Sequence, residues 1–280
     1  MSIDLLEDFD DIDYIELSPN IHVYRNMLKD PKWSCDVIKR SENNKNENLF
    51  AEWTPWAKFG TYTHTQDFDN LQIKTKNKIF QEEFEVDKEI RNSYLKALSH
   101  YVKTTNTTLP KNSYFSGSSY CKYYDQVNLL ENNMTMQYHT DYIISQSDMP
   151  GPKFHTTCTF YVNDDYKGGE IEFYINGKFI THKPQAGDIV IFPSTPPYYH
   201  GVKLIESGNK FMIRNFVMTN YSGSKEWLDN QNKYGAYNWA KMEIERVENE
   251  DDYNMVYISK GKEISFDEAE KQKSLKYDRI

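Results

Sequence analysis

The chain has 280 residues, 38% hydrophobic and 27% charged, which is enough for one large globular domain or two small ones. Its net charge of −9 comes with no basic stripe, which disfavours a grip on nucleic-acid phosphates. No apolar run approaches the ~18 residues of a membrane span, and the acidic start from Met1 to Asp11 is unlike a signal peptide. Cys35, Cys121 and Cys158 are odd in number and widely spaced, framing neither a disulfide scaffold nor a zinc site, so a reduced, cytoplasmic protein is expected. With 22 Tyr, the core is expected to carry polar handles.

Met1 to Asp13 reads as a frayed acidic end. Ile21 to Leu28 reads as a strand entering a turn, Asp30-Pro31 as a stop, and Trp33 to Arg40 as a short helix. Ser41 to Asn48 is a polar loop. Leu49 to Thr65 carries Phe50, Trp53, Trp56, Phe59 and Tyr62, an irregular segment packed by its aromatics, with an aromatic groove as the alternative. Val86 to Lys103 is the clearest N-terminal helix, with Asp87 as its cap and Ile90, Tyr94, Leu98 and Tyr101 on one stripe.

From Ser113 the pattern turns to period two. Strands are expected at Cys121 to Leu130 and, after Asn132-Asn133, at Thr135 to Tyr142. Ile143 to Lys153 is a loop. Thr156 to Asn163 alternates, with Thr157, Thr159 and Tyr161 on one side and Cys158, Phe160 and Val162 on the other. Gly168-Gly169 makes a turn before the strand Glu170 to Ile175, and Asn176-Gly177 is a strong hairpin signal leading to Lys178 to His182. Gly187 to Pro193 reads as a buried strand and Phe211 to Met218 as the last one. Ser224 to Asp229 and Ala236 to Asn249 look helical, and Ser265 with Glu268 forms a capping box before a final helical piece.

The expected fold is mainly β with flanking helices (α+β), its core a barrel or sandwich. The expected organisation is a strand and helix region at 1–112 packed on a core at 113–220, with a C-terminal helical extension at 221–280. These form one domain overall, and the extension is expected to pack on the sheet or build a homodimer contact.

The chemistry centres on Gln137 to Tyr142, where His139 and Asp141 stand two residues apart. On an extended strand they share a side and can hold one metal ion. His200 is the candidate third ligand, just after the strand Ile189 to Phe192. Two imidazoles and a carboxylate on one face leave iron(II) with open positions for other ligands.

Four pieces stand in order: Tyr138 to Asp141 (YHTD), Gly168 to Phe173 (GGEIEF), Lys183 to Phe192 (KPQAGDIVIF) and His200 to Phe211 (HGVKLIESGNKF). Together with His22 to Leu28 (HVYRNML), they resemble the Fe(II)- and 2-oxoglutarate-dependent dioxygenases, in the prolyl 4-hydroxylase-like branch. The resemblance implies a double-stranded β-helix, a jelly-roll or cupin-like barrel with the metal at its mouth, and His139, Asp141 and His200 as ligands. It implies 2-oxoglutarate and O2 as co-substrates, succinate and carbon dioxide as products, and ascorbate as a common helper.

Lys210 occupies the family's place for a basic residue that pairs with the far carboxylate of 2-oxoglutarate; a solvated turn lysine is the alternative. Arg214 lies on the same strand face and is expected to share the co-substrate or to reach the primary substrate. Tyr161 sits where relatives place a co-substrate tyrosine, with a core tyrosine as the alternative, and Thr159 points the same way. Leu129 stands where the family often has a second tyrosine, so Tyr123 or Tyr124 is the candidate replacement. The remaining histidines, His22, His64, His100 and His182, read as surface or packing residues, and His155 as a poor candidate for a substrate role.

The resemblance favours a peptidyl proline as substrate, with a free amino acid or other small molecule as runner-up. A binding barrel without chemistry is the reading from another class. The Asn-, Lys- and Tyr-rich composition suggests an AT-rich genome, such as that of a phage or virus.

Overall fold

In the computed structural model, residues 12–33, 78–110, 119–123, 133–141, 153–219 and 255–277 are described, with short pieces at 3, 5–6, 35–36, 54–55, 64–67, 113–115, 229 and 232–233. In chain order the elements begin with β1 (Tyr14–Ser18), β2 (Ile21–Tyr24), β3 (Thr54–Pro55), β4 (His64–Asp67), α1 (Lys78–Thr105), β5 (Tyr114–Phe115) and β6 (Ser119–Tyr123). Next come β7 (Met134–His139), β8 (Lys153–Tyr161), β9 (Lys167–Gly168), β10 (Ile171–Ile175), β11 (Lys178–His182) and β12 (Ile189–Pro193). Then follow β13 (Tyr199–Lys203), β14 (Ile205–Ser207), β15 (Lys210–Thr219), β16 (Met255–Ser259), β17 (Lys262–Ile264) and α2 (Phe266–Tyr277).

The strands form two main sheets. The larger runs β1-β2-β12-β8-β15-β6-β4-β3, with β5 also on β15; the smaller runs β11-β10-β13-β7-β16-β17. All the pairings are antiparallel, as in a jelly roll, and β9 with β14 makes a separate two-stranded piece.

Period two sets the layers. On β12, Ile189 and Ile191 face α1 while Val190 and Phe192 face the barrel interior. On β8, Cys158 and Phe160 face the helix and Tyr161 faces inward. On β15, Phe211, Ile213 and Val217 join the helix side and Met212 the inside. Each strand is thus buried on both faces, which explains why Gly187 to Pro193 is so apolar.

α1 lays Ile90, Tyr94, Ala97, Leu98 and Tyr101 on the outer face of the large sheet, the stripe expected from its spacing. Tyr94 ties it down, donating its hydroxyl near the carbonyls of Cys158 (3.0 Å) and Ile213 (2.7 Å).

Two of the sequence signatures are structural. In KPQAGDIVIF, the buried Asp188 accepts from Arg25 Nη1 (2.9 Å) and from the Gln185 amide (2.9 Å), clamping the end of β2 to β12. In GGEIEF, Gly168 and Gly169 both hold positive φ, +70° and +69°, which L side chains rarely adopt.

The structure corrects three expectations. The strand expected to run to Tyr142 ends at His139, because its pairing with β13 stops at the His139–His200 register; Asp141 follows in a bend. The turn after β2 leads into a helix that begins at Pro31, with Asp30 Oδ1 accepting from the Trp33 amide at 2.9 Å as a cap. The C-terminal part is not wholly helical, because Met255 to Ile264 form a hairpin that adds β16 to β7. The helices expected at Ser224 to Asp229 and Ala236 to Asn249 fall almost wholly outside the described residues, as do the aromatic segment from Leu49 and Tyr124.

Candidate metal centre

The site grows from a strand pair. β7 and β13 run antiparallel with His139 directly opposite His200. Gly201 lets these strands approach, because a Cβ there would lie 2.6 Å from the Met136 carbonyl oxygen. The bend after β7 then turns Asp141 in beside both rings. Its Oδ2 is 3.3 Å from His200 Nε2 and its Oδ1 is 3.8 Å from His139 Nε2. One ligand atom from each of the three residues lies within 4.8 Å of the others, the only such His/Cys/Asp/Glu cluster among the described residues.

Hydrogen bonds prepare the rings. His139 Nδ1 is 2.9 Å from the Gln137 carbonyl, and His200 Nδ1 is 3.3 Å from that of Tyr198. A carbonyl only accepts, so each Nδ1 carries the proton of that bond and each Nε2 is turned toward Asp141. Burial, with His200 and Arg214 adding to it, pushes the His139 imidazole down to about 4, so that it is neutral near pH 7. Burial opposes charge on Asp141, yet His200, His139 and Arg214 hold its carboxyl well below the usual range.

Thr157 and Ser194, which sequence reasoning missed, steady that carboxylate. Thr157 Oγ1 donates to Asp141 Oδ2 at 2.7 Å, which leaves Ser194 Oγ, 2.8 Å away, to donate to Thr157. The alternation of β8 was the available signal, since it puts Thr157 on the same side as Thr159 and Tyr161.

Deeper in the barrel stands Lys210, 0% exposed. Its ammonium donates to the Gly169 carbonyl at 2.6 Å and has the rings of Tyr161, Tyr123 and Tyr166 around it. Burial, helped by Lys183, pushes it down to about 7. Thr159 Oγ1 is 3.4 Å from the Tyr161 hydroxyl. Arg214 lies nearer the mouth, partly buried, with its guanidinium carbon 5.1 Å from the centre of the Phe216 ring. Of the eight expected site residues, His139, Asp141 and His200 come together, while Lys210 and Arg214 on β15 and Thr159 and Tyr161 on β8 lie on the large sheet, with Arg214 opposite Thr159; Tyr124 is not described. His22, His100 and His182 lie elsewhere.

Residues 125–218, which contain His139, Asp141, His200, Lys210 and Arg214, match the family model described as the 2OG-Fe(II) oxygenase superfamily. The likeness to that superfamily is carried by this segment of the chain. No curated protein matches it.

Several solved structures are similar to this chain. One is a Trichoplax adhaerens prolyl hydroxylase in complex with a hypoxia inducible factor oxygen degradation domain peptide fragment, 13% identical over 75% of this chain and 87% of that one, with a TM-score of 0.49. Another is a Pseudomonas putida prolyl-4-hydroxylase, 12% identical over 71% and 92%, with a TM-score of 0.46. A third is a viral collagen prolyl hydroxylase from Paramecium Bursaria Chlorella virus-1 in its 2OG complex, 14% identical over 71% and 95%, with a TM-score of 0.44.

The residues present suit the two groups that the superfamily is named for. Two imidazole nitrogens and an ionised carboxylate on one face are the donor set of a ferrous site with open positions. A buried ammonium deeper in the same barrel is what a dicarboxylate's far end requires.

Proposed function

We propose that this oxygenase uses O2 and 2-oxoglutarate to hydroxylate an unactivated C–H bond. The observation that carries the reading is the convergence of His139, Asp141 and His200 at the mouth of a barrel whose interior holds Lys210. The balance is substrate C–H, O2 and 2-oxoglutarate giving substrate C–OH, succinate and carbon dioxide. His139, Asp141 and His200 would hold Fe(II), which together with 2-oxoglutarate supplies the oxidising chemistry.

The protein's own part is placement. Gln137 and Tyr198 hold the two imidazoles in one tautomer, and Thr157 and Ser194 hold the carboxylate ionised and oriented. Lys210 neutralises the far carboxylate of 2-oxoglutarate and, with Tyr161 and Thr159, fixes its depth. The apolar walls, including Phe173, Phe192 and Met212, keep bulk water from the reacting carbon. Ascorbate would serve to keep the metal reduced.

For the substrate, the prolyl 4-hydroxylase-like motif order favours a peptidyl proline. The test is anaerobic titration of Fe(II) and 2-oxoglutarate, watching for their charge-transfer band, followed by aerobic screening of proline-containing peptides by mass spectrometry. Gain of one oxygen on a peptide, matched by succinate, is the expected result. No band and no succinate with any substrate would sink the oxygenase reading and leave a binding barrel.

Arg214 favours a second reading. A cation on the inner face of β15 beside Asp141, four residues along the strand from Lys210, is ~13 Å from it in backbone terms. That sets the two cations at different positions along the strand, so Arg214 suits an acidic small molecule such as a free amino acid. Turnover of small acids but of no peptide would select it.

A further inference from the structure

The three tyrosines around Lys210 differ in one respect. Their ring centres lie 5.0 Å (Tyr161), 5.7 Å (Tyr123) and 5.9 Å (Tyr166) from its ammonium nitrogen. The Tyr123 hydroxyl donates to Met136 Sδ at 3.6 Å, and that of Tyr161 lies 3.4 Å from Thr159 Oγ1. The Tyr166 hydroxyl has no partner, although the residue is only 6% exposed.

Nor is this ring free to swing toward one. Its Cε2 edge lies against Gly169, where an added Cβ would come within 2.9 Å of it. Lys183 covers a face, its Nζ 3.6 Å from the ring centre, while also reaching the Tyr166 carbonyl at 3.2 Å. A buried O–H without an acceptor weakens a fold, and native proteins retain few of them. A Phe in this place would make the same apolar contacts without that penalty.

The missing acceptor has a definite chemistry. Gly169 touches both neighbours: its carbonyl takes the Lys210 ammonium at 2.6 Å, and its α-carbon abuts the Tyr166 ring. The acceptor that best suits a buried phenol O–H whose ring centre lies 5.9 Å from an ammonium is an anion, and a carboxylate has two oxygens to serve two donors. We infer that Tyr166 binds the co-substrate, donating its hydroxyl to the far carboxylate of 2-oxoglutarate that Lys210 neutralises. This rests on the assignment of Lys210 made under Proposed function.

The test is isothermal titration under anaerobic conditions with Mn(II) in the metal site, comparing wild type, Tyr166→Phe and Lys210→Met. Each is titrated with 2-oxoglutarate and with 2-oxobutyrate, which lacks the far carboxylate. Tyr166→Phe is expected to weaken 2-oxoglutarate about 10- to 150-fold, the range of a hydrogen bond to a charged group. It should leave 2-oxobutyrate and Mn(II) binding unchanged and the ligand-free melting temperature unchanged or raised. If Tyr166→Phe binds 2-oxoglutarate within about twofold of wild type while Lys210→Met loses at least ~100-fold, Tyr166 only packs and the inference falls alone. If Lys210→Met also binds normally, the assignment of Lys210 falls and the inference with it. Equal loss for both ligands in Tyr166→Phe would mean general damage to the pocket and would likewise overturn it.

Discussion

His139 and His200 face one another across two paired strands, with their ring centres 4.5 Å apart. Two imidazoles held that close, with both Nδ1 atoms committed to carbonyls, have their Nε2 atoms aimed at one place. Replacing His200 by Ala is expected to weaken Fe(II) or Mn(II) binding by more than the ~10- to 100-fold that loss of an outer-sphere partner costs. It should also abolish 2-oxoglutarate turnover. Metal titration of the purified variant checks this; affinity within tenfold of wild type would show that the triad is not the site.

Thr157 offers a subtler probe, because it touches Asp141 and not the metal position. Thr157→Val keeps the shape and removes the donor, so Asp141 loses its 2.7 Å hydrogen bond. The expected loss in metal affinity is about 10- to 100-fold, with 2-oxoglutarate binding to the metal-loaded protein nearly unchanged. Thr157→Ser should restore most of it. A Val variant that binds metal normally would reduce Thr157 to a packing residue.

Lys210 sets a pH dependence. Without ligand its ammonium is pushed down to about 7, and an adjacent carboxylate pulls it back up. Binding of 2-oxoglutarate therefore takes up a proton above that value, and the dissociation constant should rise ~10-fold per pH unit as the ligand-free lysine loses its charge. Calorimetry from about pH 6 to 9 in two buffers of different ionisation heat measures both the slope and the proton. A flat profile would mean that the far carboxylate does not meet Lys210, and Lys210→Arg should flatten the slope while keeping the charge.

A second pH effect lies in the fold. Burial lowers the affinity of His22, His100, His139 and His155 for protons, so all four are more basic in the unfolded chain. Their stabilisation is present above the unfolded value of about 6.5 and is lost as pH falls below it. Around His22 the reason is visible. The Tyr24 hydroxyl lies between His22 Nδ1 (3.3 Å) and His100 Nδ1 (3.2 Å), and its single proton needs one of them as acceptor. Glu16 favours the charged form of His22 without reversing its shift, and Lys103 adds to the shift of His100. Urea unfolding of the metal-free protein should show stability falling from about pH 7.5 to 5.5, less steeply in His100→Gln. Constant stability across that window would contradict the burial of these rings.

Much of this was legible in the sequence, for physical reasons that differ by residue. The alternation in Thr156 to Asn163 and the apolar run from Gly187 could be read because those strands separate two distinct environments, helix on one side and barrel on the other. Asn176-Gly177 could be read because only such residues accept its turn, with φ of 49° and 81°. The His-x-Asp pair showed which residues meet, but not that Asp141 does so from a bend.

Other features depend on contacts remote in sequence. Thr157, Ser194 and Tyr166 look like ordinary barrel residues until their neighbours are known. The hairpin at Met255 to Ile264 carries a turn at Lys260-Gly261, both with positive φ, but its strands are short. Pairing with β7, not local propensity, makes β16 a strand.

That pairing has a consequence for how the protein matures. β16 sets Met255 against His139, so the backbone carrying a candidate iron ligand keeps one flank open until a segment encoded far downstream arrives. During synthesis the strands up to β15 would emerge with this flank bare, an edge that invites the wrong neighbour. A tag or truncation that disturbs the residues from Met255 onward would therefore reach the candidate metal centre through the sheet.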